Sequence, residues 1–294
     1  MDRFNRVMFE KPPLERLVGR YTVVDMHFHS HYSDGRNSIE AIAERAAEMG
    51  IGLAVTDHNA IGGAVEISHY LEVLSIPGIE ITSWEGTHLL VYFDRIDALQ
   101  RFYTDELKPH LGVDVMSSSQ LPLSQLLLRA RAHRGLVIFP HPYCAAYTGV
   151  FNLQFSDEDR ARFFQQADGI EAINSENLKK WNLKCALLGF NLNKSVTAGS
   201  DGHSIAHLGG AVCYADCKPT ARAFLNAVRT RRTKVVGKEI TMLKKVGSNG
   251  MKLKTNLKNT PNLVEKNIRY GYTVINSTSR TLRDNVIRSI NGRR

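Results

Sequence analysis

Two histidines separated by one residue stand at the end of the apolar segment TVVDMHFH, residues 22–29. Its valines, methionine and phenylalanine predict a buried β-strand. Side chains two residues apart in a strand point to the same face, so His27 and His29 can bind one metal ion together. A single pair of this kind also occurs for packing reasons, and the prediction of a metal site therefore depends on the rest of the chain.

Seven more histidine and carboxylate side chains fall at the ends of predicted strands or just beyond them. They are Asp34, His58, Glu80, His88, His141, Asp201 and His203. Most follow the carboxyl end of a strand, where a barrel builds its active site from the βα loops; His88 is the exception, because it opens the segment THLLVYF. Imidazole and carboxylate ligands without thiolates suit Zn, Mn or Fe, with Mg also possible. The sequence therefore predicts a centre of two or three divalent metal ions.

The elements that would position these residues alternate between strands and helices. After the first strand, spaced apolar residues predict a helix over 39–49, with Asn37 as N-cap, Glu40 as its reciprocating partner and Gly50 as the stop. Further strands are predicted at GLAVT, SIPGIEI, THLLVYF, LVIFPH, GIEAIN and KSVTAGSD, and helices at 60–74, 97–108, 122–134, 156–166, 176–188 and 219–231. This alternation indicates an α/β fold with a parallel sheet, and six or seven units favour a closed barrel.

The strings DMHFHSHYSDG, TDHN, PGIE, FPHP and AGSDGH follow one another between residues 20 and 215. In composition and order they resemble the motifs of the polymerase-and-histidinol-phosphatase (PHP) family. The resemblance implies a distorted (β/α)7 TIM-like barrel with a multinuclear metal centre. It is specific for the family and leaves the substrate open.

The resemblance also implies three sets of metal ligands, in which Glu80 bridges the first two ions. The sets are His27, His29, Glu80 and Asp201; then Glu80, His88 and His141; then Asp34, His58 and His203. Many relatives have a histidine where Asp34 stands, whereas one phosphoesterase branch shares the aspartate. The loop from Glu80 to His88 is shorter than in most relatives.

These sets predict how the chain would act on a substrate. A carboxylate can bridge two ions about 3.5–4 Å apart, which activate water and stabilise the charge that develops in phosphoryl displacement. The nucleophile would be a metal-bridging hydroxide, and the residues expected to be catalytic are Glu80, Asp201 and His203. Other polar residues are candidates for orienting ligands, lining the site or contacting phosphate: Asp25, Asp57, Glu171, His31, Arg36 and His207.

The predicted function is hydrolysis of a phosphate ester, as a phosphomonoesterase on a small or nucleotide-like substrate. One alternative is a PHP-type exonuclease that trims nucleic acid ends, and another is a non-catalytic, metal-bound regulatory module. A metal-dependent amidohydrolase also opens with His-x-His and closes with an aspartate. The PGIE and SDGH motifs fit the PHP pattern better, and no lysine is placed as a bridging ligand.

Charged residues are unevenly distributed along the chain. Residues 231–294 contain 16 Lys/Arg and 3 Asp/Glu, whereas the preceding residues contain 22 and 26. We predict an N-terminal extension at 1–20, a PHP barrel at 21–237 and a basic C-terminal extension at 238–294, in which residues 263–290 could form a short strand and a helix. A basic extension of this kind is a possible binding surface for nucleic acid.

Composition limits the location of the protein. No run of 18 apolar residues suggests a membrane span, and the charged N-terminus lacks the apolar core of a signal peptide. Four scattered cysteines are too few for a disulfide framework. The expected location is the cytoplasm, with a small phosphorylated substrate and no membrane partner; the oligomeric state is left open.

Overall fold

The structure of the protein is a computed structural model that describes residues 6–144, 148–153 and 155–239. The strands are β1 (Val7–Met8), β2 (Thr22–Phe28), β3 (Gly52–Val55), β4 (Gly78–Thr82), β5 (His88–Tyr92), β6 (Leu136–Phe139), β7 (Gly169–Asn174), β8 (Ser195–Gly199), β9 (Ala211–Ala215) and β10 (Lys234–Gly237). The helices are α1 (Leu14–Leu17), α2 (Ile39–Met49), α3 (Gly62–Ile67), α4 (Ile96–Phe102), α5 (Leu123–Ala132), α6 (Asp157–Gln166), α7 (Lys179–Asn191) and α8 (Ala221–Arg229). A π-helical turn, Tyr103–Leu107, continues α4, and 3-10 turns lie at Lys108–His110 and Ile205–His207.

The strands form two mixed sheets of five strands each. The first has the order β1-β10-β9-β2-β3 and the second the order β4-β5-β6-β7-β8. Strand β5 runs antiparallel to both of its neighbours, and β9 runs antiparallel to β2 and β10. The expected α/β alternation is therefore present, but the fully parallel sheet is not, because apolar patterning carries no information on strand direction.

The two sheets meet at two isolated bridges, Phe28 with Gly202 and His58 with Glu80, and these differ from the continuous ladder of a closed barrel. Along β3 and β4 the ladder is interrupted beside Pro77, which has no N–H to donate. Along β2 and β8 the two backbones come very close, since a Cβ on Gly199 would lie 2.6 Å from the backbone N of His27. Glycine is therefore required where these two strands bring their ligands together.

The two sheets share an apolar interior. The side chains of Val24 and Met26 on β2 belong to the same buried cluster as Leu90 and Tyr92 on β5. The hydroxyl of Tyr92 donates a hydrogen bond to the carbonyl of Met26, which ties the second sheet to the first across the core. This interior fixes the distance between the strand ends that carry the polar residues.

Helix α2 has the predicted bounds, 39–49, but its N-cap lies one residue later than the sequence indicates. Ser38 is the N-cap and accepts from the N–H of Ala41, so the prediction of Asn37 as cap with Glu40 as partner is wrong. The Asn37 side chain instead accepts from the N–H of Ile205, which joins the loop after β2 to the loop after β8. The helix ends at Gly50 in the left-handed conformation (φ 66°), as predicted.

Strands β1, β9 and β10 are absent from the sequence-based expectation. Strand β1 lies within the predicted N-terminal extension and pairs with β10, at the carboxyl end of the predicted barrel segment. The domain boundaries at 20 and 237 stay predictions, and the strand and helix expected at 263–290 lie outside the described residues. Among the helices that the structure describes, none has the length and apolar character needed to cross a bilayer.

Candidate metal centre

The nine predicted ligands lie at one edge of the two sheets. His27, His29, His58, Glu80 and His141 are each at most 7 % exposed, and the other four surround them. The position of His88 follows from strand direction: β5 is antiparallel to β4, and His88 pairs with Thr82 at the carboxyl end of β4. The beginning of β5 therefore lies at the same edge as the ends of the parallel strands. A prediction that assumes only parallel strands cannot give this position for His88.

His27, His29 and Asp201 bring their ligand atoms to one point, and Glu80 faces the same two histidines. Nε2 of His27 lies 3.2 Å from Nε2 of His29, and these two nitrogens are 3.4 and 3.1 Å from Oδ1 of Asp201. Both nitrogens are also 3.4 Å from Oε2 of Glu80. Ligands about 2.0 Å from a tetrahedral ion are about 3.3 Å apart, so the atoms of His27, His29 and Asp201 have the separations that a zinc-sized ion requires.

Glu80 faces a second group with its other oxygen. Oε1 lies 3.0 Å from Nδ1 of His88 and 3.3 Å from Nε2 of His141. Since Oε2 faces His27 and His29, the two oxygens of one carboxylate face two different pairs of histidines. This is the arrangement that a carboxylate bridging two ions needs.

The third predicted set is also brought together. Nε2 of His203 lies 3.0 Å from Oδ2 of Asp34, and Nε2 of His58 lies 3.8 Å from Oδ1 of the same carboxylate. The ring of His29 stacks between those of His58 and His203, with centroid distances of 4.5 and 4.6 Å. His58 also approaches Glu80, with Nδ1 3.0 Å from Oε2, so it lies between the third set and the bridge.

The ligand atoms of these clusters converge, and some of them have no hydrogen-bond partner in the described residues. The buried Nδ1 of His58 makes no hydrogen bond within the described residues, although Oε2 of Glu80 is only 3.0 Å away. Three groups have ligand atoms that lie within 4.8 Å of one another: His29, Asp34, His58 and His203; His27, His29 and Asp201; His58, Glu80 and His88. Buried polar atoms without partners are costly, and a cation at their common centre would remove that cost. The residues present therefore fit divalent metal ions.

The charges of the cluster also indicate a cation. Burial alone would raise the pKa of Glu80, but the imidazoles of His88, His27 and His58 hold it well below its usual range. Burial likewise opposes protonation of His27, yet the carboxylates of Asp201, Glu80 and Glu171 raise its pKa well above the usual value. In the metal-free protein, protons on histidine thus balance the buried carboxylates, and a divalent ion would displace them.

Glu171 orients two of the predicted ligands, His27 and His141, through hydrogen bonds to its carboxylate. Its Oε1 accepts a hydrogen bond from Nδ1 of His27 at 2.9 Å, which leaves Nε2 of that ring with its lone pair directed into the cluster. Its Oε2 accepts from the backbone N–H of His141 and from Nδ2 of Asn174, both at 2.9 Å. Asn174 also donates to Oδ2 of Asp201 at 3.1 Å, and this residue was not among the sequence candidates.

Asp25 and Asp57 act on loops rather than on imidazole rings. The carboxylate of Asp25 accepts from the N–H groups of Ser200 and Gly209, and so holds both ends of the loop that carries Asp201. The carboxylate of Asp57 accepts from the backbone and hydroxyl of Ser30 and from the hydroxyl of Ser33. The two aspartates next to ligand histidines thus shape the turns after β8 and β2.

Backbone strain is concentrated at the site. His141 has a φ of 29° and Asp201 a φ of 51°, in the left-handed region that most residues avoid. Each residue follows the end of a strand, and the positive φ turns its side chain toward the cluster. Strain of this kind costs on the order of 1–3 kcal/mol and is typical of residues held for function.

The remaining sequence candidates lie at the rim. His31 and Arg36 are exposed, and His31 stacks on Tyr32 with ring centroids 4.5 Å apart. Nδ1 of His207 is 3.2 Å from Oε1 of Glu176. None of these three belongs to the groups of converging ligand atoms found in the described residues.

A family model for the PHP domain matches residues 25–174, which are 150 of the 294 residues. The chain belongs to the PHP family. The matched segment contains seven of the nine predicted ligands, and Asp201 and His203 follow it. The sequence motifs that resemble those of the PHP family thus contain the side chains that lie together at one edge of the two sheets.

Relatives of this PHP protein differ in what they act on. The chain is 40 % identical over 85 residues to the 5′-3′ exoribonuclease Rnm of Escherichia coli; the match covers 26 % of this chain and 29 % of that protein. It is 36 % identical over 67 residues to a phosphoribosyl 1,2-cyclic phosphate 1,2-diphosphodiesterase of Eggerthella lenta, covering 21 % of this chain and 26 % of that protein. The matches thus span less than a third of these curated relatives.

A solved structure supports the fold. The lesion-specific endonuclease EndoQ of Pyrococcus furiosus superposes with a TM-score of 0.60 at 18 % identity, covering 73 % of this chain and 57 % of that one. At this level of identity the likeness concerns the fold alone.

Proposed function

We propose that this protein is a metal-dependent phosphoesterase that hydrolyses a phosphate ester of a small or nucleotide-like substrate. Its nine clustered histidines and carboxylates would hold two or three divalent ions at the open end of a distorted (β/α)7 barrel. The observation that carries the proposal is the position of Glu80, whose two oxygens each face a separate pair of histidines. Divalent ions held in this way lower the pKa of water and stabilise the charge on a transferring phosphoryl group.

The protein's own residues prepare the site for that chemistry. Glu171 accepts the Nδ1 proton of His27, and the backbone carbonyl of Asp201 lies 2.8 Å from Nδ1 of His203. With Nδ1 as the donor in both rings, each Nε2 keeps its lone pair for a ligand bond. Once a bound ion has displaced the remaining proton, each ring would thus offer Nε2 as a ligand, His27 beside Glu80 and His203 beside Asp34.

The substrate approaches the accessible side of the cluster. The side chains of Asp34, Asp201 and His203 are 25, 16 and 11 % exposed, whereas those of His27 and Glu80 are at most 1 % exposed. A phosphate bound at the accessible side meets the ligands of the first and third sets at once. Arg36, exposed next to the loop of Asp34, is placed to contact the rest of such a substrate.

A second candidate function is trimming of nucleic acid ends. The segment shared with an exoribonuclease favours a substrate that contains nucleotides, and the basic residues after position 230 would attract a polyanion. The two candidates use the same metal ligands, and they differ in product. A monoesterase releases inorganic phosphate, whereas an exonuclease releases mononucleotides.

A product screen tests the proposal. The metal-loaded protein is incubated with nucleoside mono- and bisphosphates, sugar phosphates and short 5′-phosphorylated RNA, in Mn²⁺, Zn²⁺ or Mg²⁺, and phosphate and mononucleotides are measured. We expect release of phosphate that stops when Glu80→Gln replaces the bridging carboxylate. Glu106→Gln, at a carboxylate paired with Arg129 outside the cluster, is the matched control. Metal-replete protein that releases neither product from any substrate contradicts the proposal.

A further inference from the structure

An open cleft lies at the end of the sheets opposite the metal centre. It has a cavity volume of about 560 Å³ and is lined by four arginines and two aspartates: Arg131, Arg134, Arg222, Arg229, Asp94 and Asp168. Gly135, which also lines it, comes just before β6, and His141 lies beyond the other end of that strand. Six residues of extended chain place the two sites about 20 Å apart. We call this feature the arginine cleft.

The arginines are anchored by the protein and retain most of their donors. Nη1 of Arg131 donates to the carbonyl of Gln166, Nη2 of Arg229 to the carbonyl of Arg134, and Nε of Arg222 to Asp94. Within the described residues, each of these guanidiniums uses one nitrogen in this way, out of five N–H groups available. The Arg134 guanidinium makes no hydrogen bond or ion pair to any residue that the structure describes.

The two carboxylates leave the cleft positive. Asp94 is paired with Arg222, and Oδ2 of Asp168 accepts from the backbone N–H of Val137 at 2.8 Å. Four arginines against two aspartates give a net charge of +2. The aspartates bound the cleft on the side of β5 and β7 and interrupt the basic lining there.

Arg134 occupies a strained backbone position. Its φ is 59°, at the turn after α5 where the N–H of Gly135 closes onto the carbonyl of Ala130. Helices usually end with glycine or asparagine in this left-handed conformation, because other side chains cost about 1 kcal/mol or more there. Arginine therefore adds no local stability at this position, and the residue lines the cleft.

We propose that the arginine cleft binds a small phosphorylated anion through Arg131, Arg134, Arg222 and Arg229, at a site separate from the metal centre. Guanidinium groups bind phosphate oxygens in pairs, and four of them around one cavity match the charge of a phosphate ester. The volume is that of a site for a nucleotide-sized ligand. A nucleic acid strand would instead require a continuous basic groove, which the two aspartates interrupt.

Counting of phosphate sites tests this proposal on the full-length, metal-loaded protein. Equilibrium dialysis with radiolabelled inorganic phosphate should give one more site per chain than the ions at the metal centre provide. The variant Arg134→Asn/Arg229→Gln should lose that additional site and keep its rate on a small phosphate ester within twofold. The control Arg16→Gln/Arg45→Gln removes the same charge from exposed positions on α1 and α2 and should keep every site.

A single substitution serves as a second test in case the double variant does not fold. Arg134→Asn suits the left-handed backbone and removes a guanidinium without a partner in the described residues. It should therefore weaken phosphate binding at the cleft at least tenfold without lowering the temperature of thermal unfolding. Equal phosphate counts in wild type and both cleft variants overturn the proposal. A fall in the affinity of a 12-nucleotide RNA with unchanged phosphate binding also overturns it, because the cleft would then be a nucleic acid surface.

Discussion

Replacing Glu171 by glutamine would test whether the residues that hydrogen-bond to the metal ligands determine the metal affinity of the site. The side chain is 1 % exposed and fills the space between β2, β6 and β7, so an amide of the same shape avoids a packing defect. Its two oxygens serve three donors: Nδ1 of His27, the N–H of His141 and Nδ2 of Asn174. A glutamine has one oxygen and one NH₂ group, and neither orientation can satisfy all three.

Each orientation has a calculable cost. With its oxygen toward His27, the glutamine presents NH₂ to two other donors, which leaves buried N–H groups unpaired at about 1–3 kcal/mol. With its NH₂ toward His27, it forces the proton of that ring onto Nε2, the nitrogen that faces Glu80 and Asp201. Both outcomes predict a 10- to 100-fold loss of metal affinity, equivalent to about 1.4–2.7 kcal/mol.

The assay is a competition for metal. Metal-free wild type and Glu171→Gln are titrated with Zn²⁺ or Mn²⁺ in the presence of a chelating indicator, and phosphate release is measured on the same samples. Glu106→Gln, which neutralises a carboxylate paired with Arg129 and His133, should bind metal as the wild type does. If Glu171→Gln binds the same number of ions within threefold of the wild-type affinity, the orienting role is refuted.

Three further predictions follow from the same geometry. Glu80→Ala or Asp201→Ala should lower phosphate release on the order of 10³-fold or more in folded protein, and metal-replete variants within tenfold of wild type would contradict the ligand assignment. Burial raises the pKa of Asp25 to about 6, so the folded protein binds this proton more tightly than the unfolded chain, and stability falls as pH rises through this window. In denaturant unfolding, the advantage of metal-free wild type over Asp25→Asn should shrink by about 2 kcal/mol from pH 4 to 6, and a constant difference would show the reasoning to be wrong. Removal of residues 240–294 should preserve hydrolysis of a small ester but weaken RNA binding and flatten its salt dependence, whereas unchanged RNA binding would exclude a nucleic acid arm.

The sequence predicts the ligand-bearing strand ends because each is an apolar run that stops at a histidine or carboxylate. An apolar run does not show the direction of its strand. His88, at the start of its strand, was therefore an exception among the predicted ligands, and the antiparallel direction of β5 explains its position. Strand β1 has two residues, too short for a periodic pattern. The cap of α2 was misplaced by one residue because Asn37 and Ser38 are both good caps, and the contact of Asn37 with Ile205 that decides between them spans 168 positions.

The residues that hydrogen-bond to the ligands show more clearly what the sequence alone cannot predict. Glu171 meets His27 across 144 positions, and Asn174 meets Asp201 through a strand pairing that no local pattern reveals. Glu171, within GIEAIN, was a reasonable candidate for lining the site, but its contact with a particular ring nitrogen depends on the packing of β7 beside β6 and β8. The types of ligand can thus be recognised in the sequence, whereas their tautomers and orientation require the fold.

Anomalous diffraction from crystals grown with Mn²⁺ tests the central claim most directly, because it counts and locates the ions. The account predicts two or three peaks in the cluster, with Glu80 bonded to two of them and each ion about 2.0–2.3 Å from its histidine and carboxylate ligands. One peak should lie among His27, His29, Glu80 and Asp201, where each histidine Nε2 is already 3.1–3.4 Å from the other and from one oxygen of each carboxylate. A map with no peak at this edge, from protein that remains folded in excess metal, would contradict the account.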